Sequence, residues 1–140
     1  MAQIFHYFNI KSNDQAQIFE AVKTVAGIKS WWTSGTKQID DCLEFTFNDV
    51  GTMRKLFRVT NASPNTLVEW ECLEGADEWI GTKVEFKIIP KDDGTTDLSF
   101  KHDQWADQTE YFAHCNYHWG MFMKSLKQYI ETGVGAPHIF

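Results

Sequence analysis

An α+β fold, a curved antiparallel sheet wrapped around one long C-terminal helix with two short helices between the first and second strands, is predicted by three observations. Apolar residues recur with period two through the middle of the chain, from residue 38 to residue 102. They recur at helical spacing from 108 to 132, and again in a short stretch between an opening strand and the sheet. A long helix whose apolar stripe needs cover, beside a sheet with one apolar face, packs into the concavity of that sheet.

The opening "IFHYFNI" (4 to 10) reads as a strand. In "SNDQAQIFEAVKTVAG" the period changes, with Ile18, Val22 and Val25 at helical spacing, Ser12 or Asn13 placed to cap and Gly27 placed to stop. "IKSWWTSG" adds one helical turn that closes at Ser34-Gly35. In the sheet, Leu43, Phe45 and Phe47 alternate with Cys42, Glu44 and Thr46. Val68, Trp70 and Cys72 alternate with Glu69 and Glu71, and Val84, Phe86 and Ile88 with Glu85 and Lys87. One face is apolar and one is wet. The reversals fall at "NDVGT" (48 to 52), "NASPNT" (61 to 66) and "KDDGTT" (91 to 96), and "TDLSFKH" (96 to 102) is the last strand. From Gln108 to Thr132, Phe112, Cys115, Trp119, Phe122, Met123, Leu126, Tyr129 and Ile130 form one stripe, and Gly133 ends the helix.

Composition narrows the function. With 140 residues and no repeat or linker, residues 1–140 form a single domain. Aromatics reach 15%, more than a core this size needs, which points to a pocket or a partner surface. A net charge of −6 without a basic run argues against nucleic acid and anionic lipid. No stretch approaches the roughly 18 apolar residues of a membrane span. Three widely spaced cysteines, Cys42, Cys72 and Cys115, suit reduced thiols in a cytoplasmic protein.

Several segments together resemble the START-like (SRPBCC) superfamily: "IFEAVKTVAGIKSWWT", "LVEWECLEGADEWIGTKVEF", "TDLSFKHDQW" and "YFAHCNYHWGMFMKSLKQYIETGVGAP". Within it the chain is most similar to the group related to the C-terminal domain of the activator of the ninety-kilodalton heat-shock protein ATPase. The resemblance implies a helix-grip fold with a cavity between sheet and long helix, in which members hold small apolar or amphipathic molecules. Some relatives are cyclases or hydrolases, and others assist chaperones. Fold therefore does not decide function, and the residues of the site must.

The cluster "AHCNYHWGMF" (113 to 122) is the most chemically suggestive. His114 and His118 stand at i, i+4, but no Glu lies between them and no third ligand is evident, so no metal is expected. Cys115 sits about two turns inside the helix, too deep for the dipole to activate it as a nucleophile. What remains is a cavity wall of Tyr111, Cys115, His118, Trp119 and Phe122. Of these, Tyr111, His118 and Trp119 carry polar atoms that need partners when buried. His102 keeps step with Leu98 and Phe100, so it faces inward as a core histidine, a polar anchor or a proton carrier. Trp70 shares the inner face of its strand and Trp79 stands at a rim; core packing is the alternative for both.

Trp31 and Trp32 splay about 100° apart on a helical turn, so one enters the interior and the other lies at the sheet edge or entrance. The sequence leaves open which does which, and Trp32 joins the candidates on those terms. The acidic pairs Asp40-Asp41 and Asp92-Asp93 read as solvated turns. The expected function is a small-molecule binding module without catalytic residues, metal or cofactor, as monomer or homodimer. A chaperone-assisting domain, with a chaperone as partner, and an enzyme using cavity histidines are the alternatives.

Overall fold

The computed structural model describes residues 1–47 and 54–138. Its elements run β1 (Ala2–Ile10), α1 (Gln15–Lys23), α2 (Val25–Lys29), β2 (Gly35–Ile39), β3 (Cys42–Thr46), β4 (Lys55–Ser63), β5 (Leu67–Glu74), β6 (Lys83–Pro90), β7 (Thr96–Trp105) and α3 (Glu110–Thr132). All seven strands join one antiparallel sheet in the order β1-β7-β6-β5-β4-β3-β2. This is the helix-grip arrangement: the first strand pairs with the last, and α3 lies against the inner face.

Register explains the core. Trp70 pairs with Val84, and Val84 with His102; Val68 pairs with Phe86, and Phe86 with Phe100. Because side chains alternate across a strand, these rows stack inner-face residues side by side, and all of them are buried. From α3 the stripe Phe112, Cys115, Trp119, Met123, Leu126 and Ile130 closes over them. Phe122 and Tyr129 flank that stripe and stay half-buried.

The helix ends show where local reading needs adjustment. Asp14, rather than Ser12 or Asn13, caps α1 by accepting from the Gln17 N–H at 3.0 Å, while the Ser12 hydroxyl accepts from the Asp14 N–H. Gly27 does not stop the helix. Thr24 does, donating its hydroxyl to the Glu20 carbonyl and accepting from the Gly27 N–H to start α2. Gly27 is there for space, since a Cβ would collide with the Glu20 carbonyl and the Ala21 backbone. Gly133 does end α3, in the left-handed conformation with φ 86°. Thr109 begins it, accepting from the Phe112 N–H at 3.1 Å.

Two further differences concern the sheet. The alternation read from residue 38 contains an additional hairpin, β2 to β3, turning at Asp40 with φ 54° and Asp41. Glu44, expected on the wet face, is buried beneath Lys37 and Arg54, which ion-pair with it and hold its carboxyl below the usual range. The expected turn at 48 to 52 lies outside the described residues.

Gly27→Ala is expected to lower unfolding stability by about 1–3 kcal/mol through overpacking against α1. Gly120→Ala, where a Cβ meets only the His6 ring at 3.5 Å, should gain up to about 1 kcal/mol of helix propensity. Chemical denaturation of the two variants checks both signs.

Candidate functional site

Trp119 stands at the centre of the interior. Its ring centroid lies 4.6 Å from Phe100 and 4.9 Å from Trp32, and it stacks on Trp79 at 6.2 Å. Rings of Phe45, Phe57, Trp70 and Phe86 continue the packing under the sheet. The middle of the space between α3 and the sheet is therefore filled.

His102 belongs to this packed centre. The Trp119 indole N–H can only donate, and it reaches His102 Nδ1 at 3.0 Å. Nδ1 is thus the acceptor, and the proton resides on Nε2, which donates to Thr82 Oγ1 at 2.8 Å. The Thr82 hydroxyl in turn donates to the Trp79 carbonyl. This chain satisfies a neutral imidazole completely and leaves no lone pair for another proton. Burial lowers the His102 pKa to about 3. Of the three sequence-level options for His102, the geometry matches the core histidine; it does not border the hollow described next, and neither does Trp70.

The hollow, about 340 Å³, opens along one flank of the N-terminal half of α3. From α3 come Tyr111, His114, Cys115, His118, Trp119 and Phe122, spaced to follow one side of the helix. Across from them stand Phe47 at the end of β3, Lys55 at the start of β4, Trp79 in the β5–β6 connection, Trp32 and His138. Seven of the nine predicted residues, Trp32, Trp79, Tyr111, Cys115, His118, Trp119 and Phe122, thus meet at one place. Phe47, Lys55, His114 and His138 were missed as lining. Phe47 was readable from its step with Leu43 and Phe45, and Lys55 from its step with Phe57. His138 carried no signal, because only the tertiary fold brings the tail there.

That tail is held firmly. The His138 N–H donates to the Trp32 carbonyl, the Ser34 N–H donates to the His138 carbonyl, and Ser125 Oγ joins the Trp31 carbonyl to the Ala136 N–H. The expectation that only one of the adjacent tryptophans enters the interior is corrected. Both are fully buried, with near-parallel rings 6.0 Å apart. The helix ends at Lys29, so the two side chains leave a turn, not a continuing helix. Trp31 goes toward α1, donating to the Ala21 carbonyl at 2.7 Å, and Trp32 goes toward the hollow.

Polar groups around the hollow are tightly arranged. The Trp79 indole N–H donates to Cys115 Sγ at 3.4 Å, with the Tyr111 side chain beside it on the same wall. Burial pushes the Cys115 thiol up, and burial foremost raises the Tyr111 hydroxyl too, so both stay protonated at neutral pH. A protonated thiol is a poor nucleophile. His118 Nδ1 donates to the His114 carbonyl at 2.9 Å, and the two rings lie 4.2 Å apart. No group of three candidate metal ligands gathers among the described residues. No helix among them is long and apolar enough to cross a membrane.

A family model described as "Activator of Hsp90 ATPase homolog 1-like protein" matches residues 14–131. The solution structure of the Aha1 dimer from Colwellia psychrerythraea is 33% identical, with 96% of this chain and 100% of that chain covered and a TM-score of 0.84. Proteins from Mesorhizobium loti (15% identical, 92% and 96% covered, TM-score 0.76) and Staphylococcus saprophyticus (14% identical, 99% and 98% covered, TM-score 0.73) share the fold. No curated protein sequence matches the chain.

The closed His102 chain fixes a pH response. An unfolded histidine takes up a proton below about pH 6.5, whereas folded His102 refuses it down to about 3. Between those values the unfolded state holds more protons, so stability falls as pH drops, by up to about 1.4 kcal/mol per unit. By NMR, the His102 imidazole is expected to stay in the neutral Nε2–H form from pH 8 to 5. A titration midpoint near 6.5 would show that the chain is not closed.

Proposed function

Because the chain belongs to the family of proteins like the activator of Hsp90 ATPase homologue 1, within the START-like superfamily, we propose that it binds a small apolar or amphipathic molecule beside α3. The observation that carries this reading is the hollow of about 340 Å³ walled by Trp32, Phe47, Trp79, Tyr111, Trp119 and Phe122 beside a closely packed core. That size is at the small end of ligand pockets, and its wall of aromatics around a few polar atoms has the usual character of one. Binding would remove apolar ligand surface from water at about 25 cal/mol per Å² before entropic costs. Trp32, Trp79, Tyr111, Trp119 and Phe122 would supply contact surface, and Tyr111, Cys115 and His118 would orient polar atoms.

A proton-carrying role for His102 has less support, since both its ring nitrogens are engaged within the core. Among the histidines at the hollow, His118 is better placed to meet a guest. Trp70 and His102 act in this reading from behind the wall, holding Trp32 and Trp119 in place.

Uptake is expected to appear as adducts in native mass spectrometry and as quenching of tryptophan fluorescence when a panel of lipids and aromatic metabolites is added. His118→Trp, a half-exposed position on the helix flank, should fill the hollow and weaken uptake about tenfold or more while leaving circular dichroism unchanged. Binding of the panel unaffected by that substitution would place the guest elsewhere.

A second reading has one specific support, the family itself. The chain would assist a heat-shock ATPase as a docking domain, and would do so as a homodimer, as the Colwellia relative is a dimer. Sedimentation at micromolar concentration should then show a two-chain species, and addition of the chain should raise the turnover of a purified Hsp90-type ATPase. A monomer without effect on turnover would remove this reading.

A further inference from the structure

The hollow contains a cation where the sheet pattern calls for an apolar side chain. Lys55 pairs with Phe45 across β3 and β4 and keeps step with buried Phe57, so its side chain rises from the inner face of the sheet. Its Nζ lies 5.0 Å from the Phe47 ring centroid and 5.0 Å from that of Trp79. These contacts keep a desolvated ammonium in place, yet they supply no full negative charge.

Neighbouring basic groups are treated differently. Arg54 pairs with Glu44 and Glu74, and Arg58 with Asp41. Among the described residues, no carboxylate lies within ion-pair distance of Lys55. Burial lowers its pKa, and the groups that act electrostatically on it are the thiols of Cys115 and Cys72. Burial pushes both thiols up, Cys72 to about 12, so neither offers a thiolate at neutral pH.

The lining as a whole repeats this bias. In a chain with 19 acidic and 13 basic residues, the described lining has one lysine and three histidines, His114, His118 and His138, and no aspartate or glutamate. Glu78, which acts electrostatically on Tyr111 and Cys115 from outside the lining, accepts the Thr109 hydroxyl at the start of α3. A half-buried, partly desolvated cation without a counter-ion is held at a cost, and a ligand anion would offset it.

We propose that the guest of this hollow is a small apolar monocarboxylate whose anionic group meets the Lys55 ammonium while its body lies among Trp32, Trp79, Trp119 and Phe122. This rests on the reading of the hollow as a small-molecule site and names the chemistry that the site selects. Aromatic acids and medium-chain fatty acids share that chemistry.

Two matched pairs of probes test it: naphthalene-2-carboxylate with its carboxamide, and decanoate with decanamide, titrated at pH 7 by calorimetry against wild type, Lys55→Met and Lys55→Arg. Wild type should favour a carboxylate over its amide by about tenfold or more. Lys55→Met, which keeps the apolar stem, should erase that preference while still binding the amide, and Lys55→Arg should retain it. The pair that responds identifies the aromatic or the alkyl acid as the class. Equal binding of acid and amide by wild type, or a preference that survives in Lys55→Met, overturns the inference while leaving the binding site standing. No binding of any probe overturns the small-molecule reading itself, and this inference with it.

Discussion

The fold turns on one buried hydrogen-bond chain, from the Trp119 indole through His102 and Thr82 to the Trp79 carbonyl. It joins the three parts that must meet for the helix to be gripped: α3, the last strand, and the β5–β6 connection. Each polar atom in it is matched in donor and acceptor sense, so the neutral imidazole costs little to bury, whereas a proton added to Nδ1 would leave two donors opposed. The chain also sets the angle at which Trp119 stands, and Trp119 packs against the rings of Trp32, Trp79, Phe100 and His102.

From that placement the hollow follows. Trp119 fills the centre and directs Trp79 to one side, where its ring forms a wall and its N–H engages Cys115. Trp32 also stacks on Trp119. Aromatic rings pack at fixed spacings and offset angles, and a group of large flat bodies does not tile a curved space as small aliphatic residues do. The space left over lies along the flank of α3, beside the seam of the core and not beneath it. An opposite flank, near His6, Phe8 and Lys127, leaves a smaller hollow of about 260 Å³.

Membership of the activator family and occupancy by a small molecule are compatible. The hollow opens between α3, the ends of β3 and β4, and the C-terminal tail, so a guest there would touch Phe47 and His138 as well as the helix. The tail is fastened to Trp32 and Ser34 by backbone hydrogen bonds.

The sequence by itself determined most of the secondary structure and the direction of most side chains. Periods of two and 3.6 are local consequences of backbone geometry, so the strand faces of Val68, Trp70, Val84, Phe86, Leu98 and Phe100, the α3 stripe and the Gly133 stop were all legible. So were six residues of the hollow, which follow from one helix face and a rim loop, whereas Trp32 was left open against Trp31. Tertiary structure alone decided the rest. Whether His102 borders the hollow or lies sealed behind Trp119 cannot be read from spacing, for it is set by how α3 docks. That both Trp31 and Trp32 are buried depends on where the chain leaves α2, and His138 reaches the wall only because the tail folds back. Periodicity reports which way a side chain points; only packing reports what it meets.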